Sequence, residues 1–214
     1  MGYLPQGHGF IEVITGPMFA DKTTTFLRAI ERATIGGKVA MVFKPDVDTR
    51  DEEDVIGTHN GDGLYATTIP VDNPRLILEE VDKYPSADPI GIDEGQFFSD
   101  ELVDVVEILA NAGKRVIITG VDMDYRCLPW SPMDKLMAVA EIVHKQTAVC
   151  EQCGKPASKI QRFTNGKLSR WDEPTVVIGD KEPKEHEELK VKHSYEPRCR
   201  DCWKTPPKLL GGNK

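Results

Sequence analysis

One segment near the N-terminus constrains the fold more than any other. The β-branched apolar run Phe10–Ile14 leads into a loop that ends in Lys22-Thr23, and a helical pattern follows over Thr24–Ile35. Inward-facing backbone N–H groups, a lysine and a hydroxyl at this spacing can hold the phosphates of a nucleotide, provided that the loop joins a strand to a helix. The segment therefore predicts a phosphate loop in an α/β fold. The alternative is an ordinary strand-to-helix turn.

The loop itself departs from the usual phosphate-loop pattern at one position. Its residues are Gly16, Pro17, Met18, Phe19, Ala20, Asp21, Lys22 and Thr23. Lys22 is expected to bind the outer phosphates and the Thr23 hydroxyl to bind Mg²⁺. Asp21 stands where the motif has glycine, and although aspartate tolerates a left-handed backbone, its charge would face a polyanion. One interpretation is therefore a nucleotide-binding protein whose turnover is impaired by Asp21.

Further apolar runs and helical patterns alternate along the first part of the chain. Three short runs are typical of strands buried on both faces: Val39–Phe43, Pro89–Ile92 and Val116–Thr119. A helix capped by Ser99 or Asp100 is expected to share one apolar face among Leu102, Val105, Val106 and Leu109. Another helix is predicted from Pro132 to Val143. This alternation indicates a parallel α/β sheet.

Two carboxylates, Asp93 and Glu94, follow the run that ends at Ile92. In phosphate-loop enzymes an aspartate at this place holds Mg²⁺. Because side chains alternate along a strand, the next carboxylate is expected to face the other way, where it could accept a proton from a substrate hydroxyl. The alternative is a solvated turn, which the upstream phosphate loop makes less favoured.

Four cysteines in two C-x-x-C pairs, Cys150 with Cys153 and Cys199 with Cys202, predict a closed tetrahedral zinc site. Two unrelated reduced pairs or a redox pair are the alternatives. We divide the chain into a phosphate-loop domain over 1–148, a zinc-binding domain over 149–204 and a flexible tail over 205–214. The second domain is poor in apolar residues, so a metal would supply much of its stability. Cys127 has no partner and is expected to be half-buried.

Charge and hydropathy exclude other classes of protein. The chain has 27 Lys+Arg and 35 Asp+Glu, a formal net charge of −8, whereas phosphate contacts with nucleic acid require clustered cations. We therefore disfavour a zinc-knuckle nucleic-acid binder, and we expect no nucleic-acid partner. No apolar run approaches the length of a membrane span, and the first residues contain no secretory signal pattern. We expect a cytoplasmic protein without a membrane partner.

Several short motifs connect these segments in order along the chain. They are Gly16-Pro17-Met18-Phe19, Lys22-Thr23, Lys44-Pro45, Asp48-Thr49-Arg50, Asp93-Glu94-Gly95-Gln96-Phe97-Phe98, Gly120-Val121-Asp122-Met123-Asp124-Tyr125-Arg126, Thr147-Ala148-Val149-Cys150, and Tyr195 four residues before Cys199. Together they resemble the type II thymidine kinase family, and the resemblance covers about Gly9 to Cys202.

This resemblance implies ATP-dependent phosphorylation of the 5′-hydroxyl of thymidine or deoxyuridine. It also implies a phosphate-loop α/β domain and a small zinc-bearing domain with a lasso loop over the nucleoside. The cofactors implied are ATP, Mg²⁺ and a structural Zn²⁺. The partners are the two substrates and further copies of the chain, because the family is often tetrameric.

The resemblance also assigns roles to individual residues. Glu94 matches the catalytic base, and Thr23 and Asp93 match the magnesium ligands. Beyond the loop, the ATP and phosphate residues are Asp48, Arg50, Asp93 and Gln96. The residues that match the nucleoside pocket are Met18, Phe97, Val121, Tyr125 and Trp130, with Thr175, Val177, Ile178, Gly179 and Tyr195 from the lasso segment. Trp130 stands where the family usually has phenylalanine. The charged stretch Asp180–Ser194 is longer than the family's usual link, and a solvated insertion is favoured over a changed lid or a subunit contact.

Overall fold

A computed structural model of the chain describes residues 8–47, 55–57, 63–176 and 191–208. The strands in these ranges are β1 (Phe10–Thr15), β2 (Met41–Pro45), β3 (Val55–Gly57), β4 (Gly63–Tyr65), β5 (Thr67–Ile69), β6 (Ile90–Ile92), β7 (Arg115–Gly120), β8 (Ile142–Lys145), β9 (Ala148–Val149), β10 (Pro156–Ala157), β11 (Lys159–Thr164), β12 (Lys167–Leu168) and β13 (His193–Arg198). The helices are α1 (Lys22–Ile35), α2 (Leu76–Asp82), α3 (Glu101–Asn111) and α4 (Met133–Val139), with a 3₁₀ turn at Gly95–Phe97.

Six strands form the main sheet in the order β5-β2-β6-β7-β1-β8. Every neighbouring pair in it is parallel. The predicted parallel α/β sheet is therefore confirmed, and the four apolar runs all lie in it. Because the strands are parallel, all their carboxyl ends meet at one edge, where ligands bind in open α/β sheets.

Helices cover both faces of this sheet. On one face, Phe26 and Ile30 of α1 are fully buried against residues of β1, β2 and β7. Full burial of a side chain of this size contributes about 1.5–3 kcal/mol. On the other face, α2, α3 and α4 pack in a larger core. Gly91 in β6 is needed for close packing, because a Cβ there would lie 2.8 Å from the Phe26 ring.

The helix predicted after Ser99 is confirmed, but its expected cap is not. Its four apolar residues are all buried in α3. Asp100 occupies the N-cap position, yet its side chain caps no backbone N–H in the described part of the chain. Its carboxylate instead accepts hydrogen bonds from Ser131 and Lys135. These two hydrogen bonds, chiefly the one from Lys135, hold the pKa of Asp100 below its usual value.

The helix predicted from Pro132 to Val143 is too long. Helix α4 ends at Val139, because Ala140 has an extended backbone with φ −70° and ψ 138°. The β-branched pair Ile142-Val143 then belongs to β8, which pairs with β1. Short apolar runs fit a helix or a strand by periodicity, and here the sheet edge determines the outcome.

The C-terminal part of the chain is built from short antiparallel pairs. Strands β12, β11 and β13 form one sheet, and β9 pairs with β10. The turn predicted at Thr164–Gly166 joins β11 to β12, with positive φ at Asn165 and Gly166 as a two-residue hairpin turn requires. In the predicted tail, the Pro207 carbonyl accepts a hydrogen bond from the Trp171 N–H at 2.9 Å.

None of the helices within the described ranges is both long and apolar enough to span a membrane.

Candidate active site

The carboxyl edge of the main sheet brings three predicted segments together. Thr15 at the end of β1 is in register with Gly120 at the end of β7. Ile92 at the end of β6 is in register with Ile118 on the same β7 strand. The phosphate loop, the acidic pair and the loop that begins at Val121 therefore all leave the sheet at this edge. We call residues 121–130 the nucleoside loop, after the role predicted for them.

The phosphate loop has the strand–loop–helix context that its chemistry requires. Gly16 has φ 143°, and a Cβ there would lie 2.5 Å from the Gln146 carbonyl oxygen, so only glycine fits. The Lys22 ammonium donates a hydrogen bond to the Pro17 carbonyl at 2.8 Å, which folds the side chain back over its own loop. Thr23 lies in the first turn of α1, where backbone N–H groups lack helical partners and attract anions.

Asp21 occupies the last position before α1 and has a left-handed backbone, with φ 55° and ψ 28°. The residue is exposed, and its side chain caps no N–H among the described residues. Its carbonyl accepts hydrogen bonds from the Thr25 N–H and the Thr25 hydroxyl, both at 3.0 Å. The backbone at this position is therefore what glycine would adopt, and the carboxylate is exposed to solvent.

The acidic pair is buried, which excludes the solvated turn. Asp93 is 4% exposed and Glu94 is 8% exposed. The Glu94 N–H donates to the Asp93 carboxylate at 2.9 Å. We expected strand alternation to set the direction of Glu94. It does not, because β6 ends at Ile92 and Glu94 has a left-handed backbone with φ 50°. A bulky residue in this conformation is uncommon and often marks a functional position.

Gln96 connects the acidic pair to the nucleoside loop. Its side chain is 4% exposed and donates to the Glu94 carboxylate through Nε2. Its amide oxygen accepts the Val121 N–H at 3.0 Å. Gly120 allows this close approach, because a Cβ there would lie 2.6 Å from the same oxygen. The family resemblance predicts that Gln96 binds ATP, and it gives no indication of this bridge between two protein groups.

Three of the five residues predicted for the base pocket lie on the nucleoside loop, and a fourth, Phe97, contacts it. Val121 and Tyr125 are buried, and Met18 is half-buried. The Phe97 and Trp130 rings meet edge to face, with centroids 6.1 Å apart and planes at 85°. Such aromatic pairs contribute about 0.5–1.5 kcal/mol beyond the area they bury. Trp130 therefore keeps an aromatic contact at the position where phenylalanine is usual.

The predicted lasso residues lie only partly within the described chain. Thr175 is half-buried, and its hydroxyl accepts a hydrogen bond from Arg126 at 2.8 Å. Tyr195 is half-buried on β13. Five predicted site residues lie outside the described residues: Asp48, Arg50, Val177, Ile178 and Gly179. Of the predicted insertion, only its last residues, up to Ser194, are described.

The four cysteines of the two C-x-x-C pairs come together as predicted, with all four sulfurs within 4.8 Å of one another. The Sγ atoms of Cys153 and Cys199 are 3.6 Å apart. This is much longer than a disulfide, at about 2.05 Å, and close to the roughly 3.8 Å between thiolates bound to one zinc ion. The donor set and its spacing therefore fit Zn²⁺. Cys127 is half-buried as expected, and burial raises the pKa of its thiol.

The thiols of this cluster do not ionise alike. Burial opposes ionisation of Cys150, but backbone hydrogen bonds from both cysteine pairs outweigh it and lower its pKa to about 6. Hydrogen bonding with Cys153 raises the pKa of Cys202 to about 12. Four thiolates in such proximity repel one another unless a cation lies between them, which is a further reason why the cluster suits a metal.

The cysteine cluster also touches the phosphate loop. Ala20, which is 6% exposed, packs in one apolar cluster with Cys150 and Cys199. Ala148 and Ala157 complete this cluster. Small side chains at these positions allow the loop to approach the cysteines closely. The predicted zinc site therefore shares one packed cluster with Ala20, a residue that the sequence assigned to ATP.

The family comparison agrees with this geometry. The family model described as thymidine kinase matches residues 9–203, which include the phosphate loop, the acidic pair, the nucleoside loop and all four cysteines of the cluster. A match of this extent covers most of the chain. The protein therefore belongs to the thymidine kinase family and is an enzyme that phosphorylates a nucleoside.

Proposed function

We propose that this enzyme transfers the γ-phosphoryl group of ATP to the 5′-hydroxyl of thymidine, and also of deoxyuridine, in cytoplasmic pyrimidine salvage. The observation that carries the proposal is the bridge through Gln96, which joins the buried Glu94 to the first residue of the nucleoside loop. A carboxylate held at the edge between a phosphate loop and an apolar pocket is what phosphoryl transfer to a hydroxyl requires.

The phosphates of ATP are assigned to the loop and the start of α1. The N–H groups of the first helical turn and the Lys22 ammonium stabilise the negative charge of the outer phosphates. Thr23 and Asp93 are the residues that would hold Mg²⁺. The ion, when bound, neutralises charge between the phosphate oxygens. Asp48 and Arg50 are assigned to the phosphates and the sugar by resemblance.

Glu94 is assigned the role of general base. Its carboxylate accepts the proton of the 5′-hydroxyl as that oxygen attacks the γ-phosphorus, and the bond from this phosphorus to the bridging oxygen breaks to release ADP. Gln96 fixes the orientation of this carboxylate, because its amide oxygen is engaged by the Val121 N–H and only its NH₂ group faces Glu94. The enzyme's contribution is mainly positioning, since little covalent chemistry is required of it.

The pyrimidine is assigned to the predicted apolar pocket of Met18, Phe97, Val121, Tyr125 and Trp130. A small, mostly neutral base needs apolar walls and a few fixed polar partners. The backbone of Thr175 and of residues 177–179 is proposed to supply those partners, with Tyr195 from the same segment. Discrimination follows because an unmatched base leaves buried polar groups unpaired. We further propose a structural Zn²⁺ at the cysteine cluster and a homotetramer.

A nucleoside panel with ATP and Mg²⁺, assayed by transfer of labelled phosphate, tests this proposal. We expect turnover of thymidine and deoxyuridine and little turnover of purine deoxynucleosides. If no pyrimidine deoxynucleoside is phosphorylated while another nucleoside is, the substrate assignment is wrong. A salt-dependent DNA mobility shift without nucleoside turnover would favour a nucleic-acid binder instead.

A further inference from the structure

A buried arginine in the small domain has no role in the chemistry described above. Arg162 lies in the middle of β11 and is 0% exposed. Burying a guanidinium is costly unless its charge and its N–H groups are paired. Its side chain donates to the Pro174 carbonyl at 2.6 Å and to the Ser169 hydroxyl at 3.2 Å, and Glu173 lies 3.4 Å away. These partners place the Arg162 guanidinium against residues 169–174, which lead directly to Thr175.

The same guanidinium stacks on the nucleoside loop. Its central carbon lies 3.6 Å from the centroid of the Tyr125 ring, which is a close cation–π contact. The Tyr125 hydroxyl donates to the Arg170 carbonyl at 2.7 Å, with the Glu173 carbonyl 3.0 Å away. Burial raises the pKa of Tyr125, which keeps its hydroxyl protonated as a donor. Tyr125 is therefore held on its ring face by Arg162 and at its tip by residues 170–173.

A further residue assigned to the nucleoside lies opposite Arg162 across the strand pair. Arg162 is in register with Tyr195 on the antiparallel strand β13, so the two side chains lie on the same face of the sheet. Arg162 also lies 3.5 Å from the Thr175 carbonyl. It therefore adjoins three residues assigned to the nucleoside: Tyr125, Thr175 and Tyr195. These three come from separate elements, which Arg162 connects.

We propose that Arg162 is a positioning residue for nucleoside binding, which holds Tyr125 and the 169–175 segment in the arrangement that the pyrimidine requires. This inference rests on the proposed function. It assigns Arg162 no contact with the phosphates and no part in proton transfer. Loss of its stacking and forked hydrogen bonds should therefore weaken nucleoside binding and leave the chemical step and ATP binding largely intact.

The decisive variant is Arg162→Lys, which keeps the positive charge but removes the planar fork and most of the stacking. We expect the thymidine KM to rise about tenfold, with kcat and the ATP KM within about threefold of wild type. Arg198→Lys is the matched control, because Arg198 lies in the same small sheet and pairs with Glu196. We expect it to leave the thymidine KM unchanged.

Tyr125→Phe provides a second test that removes a single hydroxyl and keeps the ring. We expect the thymidine KM to rise about threefold to fivefold, as for the loss of one or two hydrogen bonds. A purely structural role would lower the fraction of active enzyme and hence the apparent kcat, but it would not change KM. Zinc content and thermal unfolding are therefore measured on each variant.

Two outcomes separate failure of this inference from failure of the proposed function. If the wild-type enzyme phosphorylates thymidine and a folded, zinc-loaded Arg162→Lys protein has the wild-type thymidine KM, Arg162 is not a positioning residue. If the wild-type enzyme neither phosphorylates thymidine nor binds it in titration calorimetry, the proposed function itself is wrong.

Discussion

Asp21 is the residue of the phosphate loop that departs from the motif, and its geometry predicts how much it affects ATP binding. An inward carboxylate about 4 Å from a phosphate would repel it by roughly 4 kcal/mol at an effective dielectric near 20, which is close to a thousandfold in affinity. The structure leaves the residue exposed, with its carboxylate outside any capping bond among the described residues. An exposed side chain can turn away from the phosphates, so we expect the strong repulsion not to apply.

Two smaller effects remain for an outward Asp21. At about 8 Å in water, a unit charge repels another by roughly 0.5 kcal/mol, and physiological salt reduces this further. The left-handed backbone, with φ 55°, costs about 1 kcal/mol or less for aspartate relative to glycine. Glycine offsets part of that gain, because it is more flexible in the unfolded chain. The variant Asp21→Gly should therefore change the free energy of unfolding by less than about 1 kcal/mol.

The assay is an ATP titration of wild type, Asp21→Gly and Asp21→Asn at low and high salt. Asparagine removes the charge while it tolerates the same backbone, so it isolates the electrostatic part. We expect both variants to lower the ATP KM by no more than about threefold at low salt, and less at high salt. A fall of more than about tenfold in both variants would show that the carboxylate faces the phosphates. Such a fall would support the impaired-turnover interpretation.

Three other changes test the remaining parts of the site. Glu94→Gln should lower kcat by about 10² to 10⁴ with thymidine binding nearly unchanged, and near wild-type kcat would remove Glu94 from the mechanism. Gln96→Met should lower kcat about tenfold or more and destabilise the fold by about 1–3 kcal/mol, because the buried Val121 N–H loses its acceptor; an unchanged kcat would show that Glu94 needs no such support. Cys153→Ser should reduce bound zinc and the melting temperature, measured by elemental analysis and calorimetry. Wild-type protein that was never exposed to chelator and yet contains no zinc would contradict the zinc assignment.

The sequence predicted the sheet and its functional edge because both depend on local patterns. Runs such as Val116–Thr119 are too apolar to be anything but buried, and the strand–loop–helix context of Lys22-Thr23 requires a parallel sheet. Helix α3 was equally clear, since its apolar face repeats at helical spacing. The end of helix α4 could not be predicted in this way. The pair Ile142-Val143 fits a helix or a strand by its local pattern, and only its pairing with β1 makes it a strand.

Other features of the site depend on contacts that no local pattern contains. The bridge through Gln96 needs a hydrogen bond between Gln96 and Val121, which are 25 residues apart in the chain. Its geometry rests on the left-handed turn at Glu94 and on the absence of a side chain at Gly120. Arg162 was overlooked for the same reason, because a single arginine in a polar strand has no signal of its own. The importance of such a buried charge can be recognised only when the structure gives both its burial and its partners.

The cysteine cluster has a wider structural consequence than the stability of the small domain. One side of it packs against Ala20 of the phosphate loop. From the same region, β11 and β13 extend to Arg162, which stacks on Tyr125. A metal that fixes the four sulfurs would therefore support the loop assigned to ATP and the tyrosine assigned to the nucleoside at once. Because the packing at Ala20 and the strands that carry Arg162 both begin at this cluster, chelation of the metal should raise the KM for ATP and the KM for the nucleoside. Arg162→Lys should raise only the KM for the nucleoside.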